Sequence, residues 1–270
     1  MNIVLYHRKV TTELQQYMSQ LNQALLSRGA HTTMCSDRDP LPAETNLDLV
    51  ISIGGDGTLL SAIHQIGSRG IPVIGINFGH LGFLTAVGRS TDVDQLAQSL
   101  LGGNTRVENR TILSVSVDSL PHFHTHCLNE VSLHRSASLS TLTAKLYVDD
   151  QYLATYTGDG VIVATPTGST AYNLSCGGPI LTPDCGCSVV TPIAPHTMTL
   201  RSIIVPDTST LRLVTTTDLP QCALGTDSTS QPIEGGSTIT ITKAPFTVRL
   251  LRMQDQSFFT AIQEKLSWGK

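Results

Sequence analysis

Ile51-Ser-Ile-Gly-Gly-Asp-Gly-Thr-Leu-Leu60 is the stretch from which the rest of the chain is read. The apolar run over residues 47–53 predicts a buried strand, and Leu59, Leu60 and Ile63 continue at helical spacing. Glycines in the turn between them let the backbone come close to a ligand, and N–H groups at the helix start favour an anion. The pattern is not a Walker loop, because no Gly-Lys-Ser/Thr follows and no lysine lies nearby in sequence. An aspartate amid phosphate-cradling glycines repels the anion unless it holds Mg²⁺ or takes a proton from an attacking hydroxyl. That tension points to phosphoryl transfer to an alcohol. The plainer alternative is a glycine turn capped by Asp56.

Outward from this turn, strands and helices alternate. Residues 2–7 read as a strand. Thr12-x-x-Gln15 reads as a capping box opening a helix on Leu14, Tyr17, Met18, Leu21 and Leu25 that runs to Gly29. Further strands are expected at 31–35 and 71–77, and a helix at 93–101 closed by Gly102-Gly103. This alternation predicts an α/β N-terminal domain with a doubly wound parallel sheet, whose ligands bind beyond the carboxyl ends of the strands. It is expected over residues 1–100. Residues 101–249 break into short β-type runs, at 111–118, 127–134, 141–148, 152–156, 160–165, 188–193, 202–205, 211–216 and 237–242. They predict an all-β C-terminal domain, with Asp149-Asp150 as a hairpin turn. The tail, 257–268, returns to helical spacing with Phe258, Ile262 and Leu266. A lone helix must bury that face, so residues 250–270 are expected to complete the first domain.

Composition excludes several classes. The 270 residues carry a net charge of −4 with no basic block, which argues against a nucleic-acid partner. Charged residues are 14% of the chain, against roughly 25% in an average one. No apolar run reaches the ~18 residues of a membrane span, and the first charges follow the N-terminal apolar stretch, the reverse of a secretory signal. Six cysteines without a Cys-x-x-Cys pair read as reduced thiols of a cytoplasmic protein.

Other stretches carry chemistry. Asn77-Phe-Gly-His-Leu-Gly-Phe-Leu84 is a glycine-spaced turn whose Gly75, Gly79 and Gly82 do not fit Gly-x-Gly-x-x-Gly, and it reads as mainly structural. Asn129-Glu130 interrupts an apolar run. A carboxylate there needs a partner, and it can accept two ribose hydroxyls; adjacent residues reach one ligand only at a strand end or bulge. In the segment from Gly158 to Tyr172, a strand runs into Pro166, Gly168 and a hydroxyl cluster. Ser169 and Thr170 suit a helix N-cap, Thr167, Ser169 and Thr170 offer donors to a nucleotide, Tyr172 could stack on a base, and Asp159 could accept from a ligand. A capped helix after a Pro-Gly turn is the structural alternative. His122, His124 and His126 share one strand face and read as solvated rather than as metal ligands. His64 and His80 lie near the glycine turns and read as structural.

The order of Gly54-Gly-Asp-Gly-Thr58, Asn77-x-Gly-x-Leu-Gly-Phe-Leu-Thr85, Leu128-Asn-Glu130, Asp159-Gly160, Thr165-Pro-Thr-Gly-Ser-Thr-Ala-Tyr172, Gly177-Gly-Pro179 and Pro192-x-x-Pro-His196 resembles that of the NAD kinases. The Phe258-Phe-x-x-Ile-x-x-Lys-Leu-x-Trp268 tail extends the resemblance over nearly the whole chain. It implies transfer of the γ-phosphoryl of ATP, with Mg²⁺ or another divalent cation, to the 2′-hydroxyl of the adenosine ribose of NAD. By the same resemblance Asp56 is the proton acceptor, and Gly54, Gly55, Gly57 and Thr58 lie against phosphate. Asp56, Gly57, Asn129, Glu130, Asp159, Thr170, Ala171, Tyr172, Ser175 and Ala194 would hold NAD, in a homo-oligomer (dimer or tetramer) whose neighbouring subunit completes the site near Ala194. No residue is assigned as a metal ligand. Two departures stand out: Arg201-Ser202-Ile203 where members often have Arg-Pro-Ile, and Thr157 where a basic residue often precedes the second Asp-Gly, which leaves the pyrophosphate contacts open. The competing readings are a related Gly-Gly-Asp-Gly kinase acting on a lipid or sugar, and a non-catalytic NAD-binding regulator. A hydride-transferring oxidoreductase is disfavoured by the missing dinucleotide fingerprint.

Overall fold

The computed structural model describes residues 1–43, 46–78, 82–85, 87–136, 141–216, 218, 220–227 and 229–269. His80 and part of the glycine-spaced turn around it lie outside the described residues. Contacts group the chain into two compact units, Met1–Asn109 with Val248–Lys270, and Arg110–Thr247.

The first unit begins with strands β1 (Asn2–His7), β2 (His31–Ser36), β3 (Leu49–Gly54), β4 (Val73–Asn77) and β5 (Val87–Gly88), interleaved with helices α1 (Thr12–Leu26), α2 (Asp56–Ile66) and α3 (Val93–Leu101). β1 pairs with β2 and β3, β3 with β4, and β4 with β5, all parallel. The order β2-β1-β3-β4 reverses direction between β1 and β3, so the ligand crevice of such a sheet opens at the carboxyl ends of those two strands. Gly54 is the last residue of β3. The sheet is covered on both faces. Ile3, Leu5, Leu49, Ile51, Ile53, Ile74 and Ile76 pack under Leu21 and Leu25 of α1 and Leu96 and Leu100 of α3. On the other face the Tyr6 hydroxyl meets Ser61 Oγ of α2 at 2.7 Å, and Leu59 Cδ2 would lie 3.0 Å from any Cβ at Gly75. Each such Leu or Ile contributes about 1.5–3 kcal/mol by leaving water. The cap of α1 is Thr11, whose Oγ1 accepts from Leu14 N at 3.2 Å, one residue before the capping box read from sequence.

The second unit is antiparallel. Its strands are β6 (Thr105–Val117), β7 (Leu120–Cys127), β8 (Glu130–Arg135), β9 (Leu142–Val148), β10 (Gln151–Gly158), β11 (Gly160–Ala164), β12 (Cys187–Ile193), β13 (Ile203–Pro206), β14 (Leu211–Thr215), β15 (Gln221–Thr226), β16 (Thr229–Glu234) and β17 (Thr238–Met253). The division between units falls inside β6 and β17. One layer has the order β13-β12-β11-β8-β15-β16, and β10, β9, β14 and β17, with β6 and β7, make the other. Val131, Leu133, Val161 and Val163 from the first layer meet Leu142, Leu146, Leu213 and Ile239 from the second, the two inner faces of a sandwich. The expected run over 127–134 is two strands, broken at Leu128-Asn129, and β15 and β16 had no counterpart in the sequence reading. Asp149 and Asp150 adopt φ of 48° and 67°, so the β9–β10 turn is of the primed hairpin kind without glycine. Thr210 N and Ser209 Oγ donate to the Asp149 carboxylate at 2.8 and 2.9 Å and hold that strained turn.

A four-residue helix α4 (Tyr172–Ser175) follows β11, and α5 (Phe258–Leu266) closes the chain. α5 is capped by Ser257 and buries Ile262, while Phe258 and Leu266 are only half-buried. Residues 248–253 of β17 and all of α5 belong to the first unit.

Candidate active site

In the first unit the glycine turn follows directly from β3. A Cβ at Gly54 would fall on Thr58 Oγ1, so only glycine lets the chain double back here. Gly55 is the N-cap of α2 and offers no side chain to its first N–H groups; Thr58 N turns back to Gly55 O at 2.9 Å, and a helix start without a side-chain cap suits an anion. Asp56 is the first helical residue, half-buried, and its carboxylate accepts the N–H of Leu84 at 3.2 Å and of Thr85 at 3.0 Å. One lone pair on each oxygen is used by these bonds, and a carboxylate has about four acceptor positions. Gly57 is exposed.

Positive charge is scarce around this turn in sequence but not in space. Arg8, just past β1, brings Nη1 to 4.0 Å from where a Gly57 Cβ would stand, and it pairs with Asp37 at 3.2 Å. Lys265 of α5 lies with its ammonium 4.7 Å from the centroid of the Phe83 ring. Burial above all pushes that ammonium down to about 8, against the opposing pull of the Asp56 carboxylate. Neither cation was singled out from sequence, since each reaches the turn through the fold. His64 is exposed on α2.

In the second unit the Asn129-Glu130 and Thr165–Tyr172 stretches, far apart in the chain, are bonded together. β8 and β11 are neighbours, with Glu130 opposite Ala164. Thr165 N donates to Asn129 O at 2.9 Å, Thr165 Oγ1 to Leu128 O, and Gly168 N to Thr165 Oγ1 at 3.1 Å. A Cβ at Gly168 would run into the Asn129 carbonyl. Asn129 and Glu130 sit at a strand start, the position that lets adjacent residues reach one ligand. Beneath them Asp227, which sequence reasoning missed, accepts the N–H of Leu128 (2.8 Å), Asn129 (2.8 Å) and Glu130 (3.2 Å). Burial, and then the Asp227 carboxylate, push the Glu130 carboxyl up to about 8. A carboxyl raised this far favours its neutral form, which can donate as well as accept, and among the described residues its buried Oε2 has no partner.

The hydroxyl cluster is placed differently from expectation. Ser169 is fully buried, its Oγ bonded to Pro166 O at 2.7 Å and to Leu181 N at 2.9 Å. Thr167 is buried and accepts from Arg110 Nη1 at 3.3 Å. Ala171 is the N-cap of α4 and makes no side-chain cap, so neither Ser169 nor Thr170 caps it. Thr170 and Ala171 are half-buried, and Tyr172 and Ser175 are exposed. Tyr172 stacks on His134 with ring centroids 5.7 Å apart and planes 21° from parallel, and burial holds the His134 ring below its usual range.

At the far end of β11, Gly160 stands opposite His134, about 13 Å from Ala164 at ~3.3 Å per residue. There Arg135 Nε grips the Asp159 carboxylate at 2.7 Å. Arg135 of β8 thus places a cation beside Asp159, two residues from Thr157. Ala194, exposed with φ of 42°, turns back beside this pair; a Cβ at Gly158 would lie 2.6 Å from its carbonyl oxygen. Asn129-Glu130 and Asp159 with Ala194 thus mark the two ends of an elongated strip along β8 and β11, with Tyr172 stacked on His134 of β8.

On β7, His124 and His126 pack edge to face at 5.3 Å, and His124 Nε2 meets Ser114 Oγ at 3.1 Å. Among the described residues no three His, Cys, Asp or Glu side chains are grouped to hold a metal ion, and no helix is long and apolar enough to cross a membrane.

Residues 3–105 match the model of the ATP-NAD kinase N-terminal domain, and residues 128–253 that of the ATP-NAD kinase C-terminal domain. A NAD kinase of Porphyromonas gingivalis is 38% identical over 257 residues, 94% of this chain and 86% of that protein. One of Koribacter versatilis is 39% identical over 227 residues, 83% of this chain and 79% of that protein. Among solved structures, yeast NADH kinase complexed with NADH superposes with a TM-score of 0.88 at 25% identity, over 100% of this chain and 88% of that one. A NAD kinase from Archaeoglobus fulgidus in complex with ATP gives 0.81 at 25% identity, over 99% of each chain.

Proposed function

The chain belongs to the ATP-NAD kinase family, and we propose from that membership how its own residues divide the work of phosphorylating NAD at the expense of ATP. The activity itself follows from the family. The acceptor atom is the 2′-hydroxyl of the adenosine ribose, and Asp56 takes its proton. The observation that carries this role is the anchoring of the Asp56 carboxylate by Leu84 N and Thr85 N, with acceptor capacity left on both oxygens. Phosphoryl transfer passes through a loose transition state, so it rewards positioning and charge neutralisation more than a strong base. A fixed carboxylate of this kind suits a hydroxyl that gives up its proton late.

Gly54, Gly55, Gly57 and Thr58 face the phosphates, with the uncapped N-terminus of α2 and the nearby Arg8 favouring negative charge. Glu130 and Asn129 hold ribose hydroxyls, the former as a neutral acid. Asp159, Thr170, Ala171, Tyr172, Ser175 and Ala194 hold the rest of NAD, and the strip along β11 supports a ligand as long as a dinucleotide. Among the described residues no three His, Cys, Asp or Glu side chains are grouped to hold a metal ion, and none is assigned as a ligand. In this reading Mg²⁺ enters with the ATP substrate, bound to its phosphates. The enzyme works in the cytoplasm, a placement supported by its free cysteines, as a homo-oligomer in which the strained turn at Ala194 meets the neighbouring subunit.

The test is a coupled assay for NADP with ATP and Mg²⁺, offering NAD, diacylglycerol and fructose 6-phosphate as acceptors. NADP formation with inert alternatives is expected. Phosphorylation of the lipid or sugar instead, or NAD binding without NADP, overturns the reading.

A further inference from the structure

The segment that anchors Asp56 is itself held from behind. Arg252, near the end of β17, donates from Nη2 to Phe83 O at 3.1 Å and from Nη1 to Leu84 O at 3.0 Å. Its side chain is only 12% exposed, and its Nε faces Glu108 Oε2 at 3.4 Å. Phe83 C=O and Leu84 N–H belong to one planar peptide unit, and Leu84 C=O and Thr85 N–H to the next. In a trans peptide the two groups point in opposite directions, and the described chain contains no cis peptide. The guanidinium and the carboxylate therefore grip the two ends of the same two peptide units. Two parallel chains run from Arg252 Nη2 to Asp56 Oδ2 and from Arg252 Nη1 to Asp56 Oδ1.

We propose that Arg252 is a positioning residue for phosphoryl transfer, fixing the Asp56 carboxylate through the peptide planes of Phe83–Leu84 and Leu84–Thr85. This rests on the reading of Asp56 as proton acceptor. Two consequences follow from the geometry. The planes cannot rotate while both carbonyls are held, so both N–H vectors stay aimed at the carboxylate. A cation on the carbonyl side also polarises each peptide and strengthens the N–H donor on the other side, as bonds in a chain reinforce one another. The planar fork of arginine matches two carbonyls at once, whereas the ammonium of lysine is a point charge. Surrounding features keep the segment in place: Leu84 and Thr85 are buried, and Lys265 covers the Phe83 ring. Glu108 is also bonded to Arg106 at 2.7 Å, so removing Arg252 does not strand a lone carboxylate.

The experiment compares Arg252→Lys, Arg252→Gln and Asp56→Asn by steady-state kinetics with NAD and ATP, alongside thermal melts. Both Arg252 variants are expected to lose on the order of a hundredfold in kcat, with KM for NAD unchanged within about twofold. Lysine is expected not to rescue. Wild-type kcat in folded Arg252→Gln or Arg252→Lys, with Asp56→Asn inactive, overturns the role of Arg252 alone. Near-wild-type activity in Asp56→Asn overturns the reading beneath it. A second measurement needs no variant to fold: hydrogen exchange in the wild-type enzyme. Slow exchange of the Leu84 and Thr85 amides supports the double grip, and exchange as fast as in an open loop overturns it.

Discussion

Gly82 lies so close to Asp56 that a single carbon added to its Cα would occupy the place of the carboxyl group. The glycine is thus part of the seat of the acid. Gly82→Ala should swing the carboxylate off Leu84 N and Thr85 N, leaving two donors unpaired at a cost of about 1–3 kcal/mol each. Turnover should fall on the order of a hundredfold, while NAD affinity, for which the proposed contacts of Asn129, Glu130 and the 159–175 segment are intact, should change less. Calorimetric titration with NAD beside a kcat measurement checks this; unchanged kcat would show that the seat does not matter.

Asp56→Asn keeps the size of the side chain and removes its capacity to take a proton. The carboxamide oxygen can still accept one of the two N–H groups, so folding should survive. Turnover should drop by a factor of roughly a hundred or more, the range of general-base catalysis, with NAD binding retained. The readout is NADP formation by enzyme whose melting curve matches the wild type.

How far the sequence went is clearest where signals were local. The start and end of α3 are carried by Asp92, which caps Gln95 N, and by Gly102, and both lie next to the helix they delimit. The break at Leu128-Asn129 is not of that kind. It is imposed by Asp227, nearly a hundred residues later, drawing off three consecutive N–H groups. β15 and β16 escaped notice because Gln221–Thr226 and Thr229–Glu234 carry few β-branched apolar residues, and Pro232 sits on what is an edge strand. Of the site, the glycine turn and the Asn-Glu and Thr-Pro motifs were legible as contiguous words. Arg8, Arg135, Arg252 and Lys265 were not, because each acquires its neighbour only through strand order or the return of the tail. The hydroxyls of Thr167 and Ser169 misled, since local chemistry cannot say which of them the core has already claimed.

Glu130 predicts a pH effect on stability. Its folded value, about 8, stands above the ordinary 4.5, so the folded state holds a proton that the unfolded state releases. This contribution to stability is complete below pH 4.5 and is lost as pH rises to about 8, by an amount on the order of a few kcal/mol. Glu130→Gln has no proton to lose, so its melting temperature should decline less than the wild type's between pH 5 and about 8. Parallel melting curves across that range would show that burial does not hold the acid neutral.

The bonding of the Thr165–Gly168 turn to Asn129 predicts that one methyl group suffices to disable NAD binding. At Gly168 the obstacle is the Asn129 carbonyl, backbone rather than the end of a flexible side chain, so it cannot turn aside. Gly168→Ala must therefore lift the turn, lengthening Thr165 N to Asn129 O and carrying Thr170, Ala171 and Tyr172 away from Glu130. Overpacking of this sort costs about 1–3 kcal/mol, which a domain with so broad a sandwich core should survive. NAD affinity should fall by about tenfold or more, since an ångström of displacement is enough to spoil several contacts at once. ATP should still bind, because the glycine turn proposed to hold it belongs to the other unit. Equilibrium titrations with NAD and with ATP separate the two: an equal loss of both would mean global unfolding, and a loss of neither would mean that the two motifs do not act as one site.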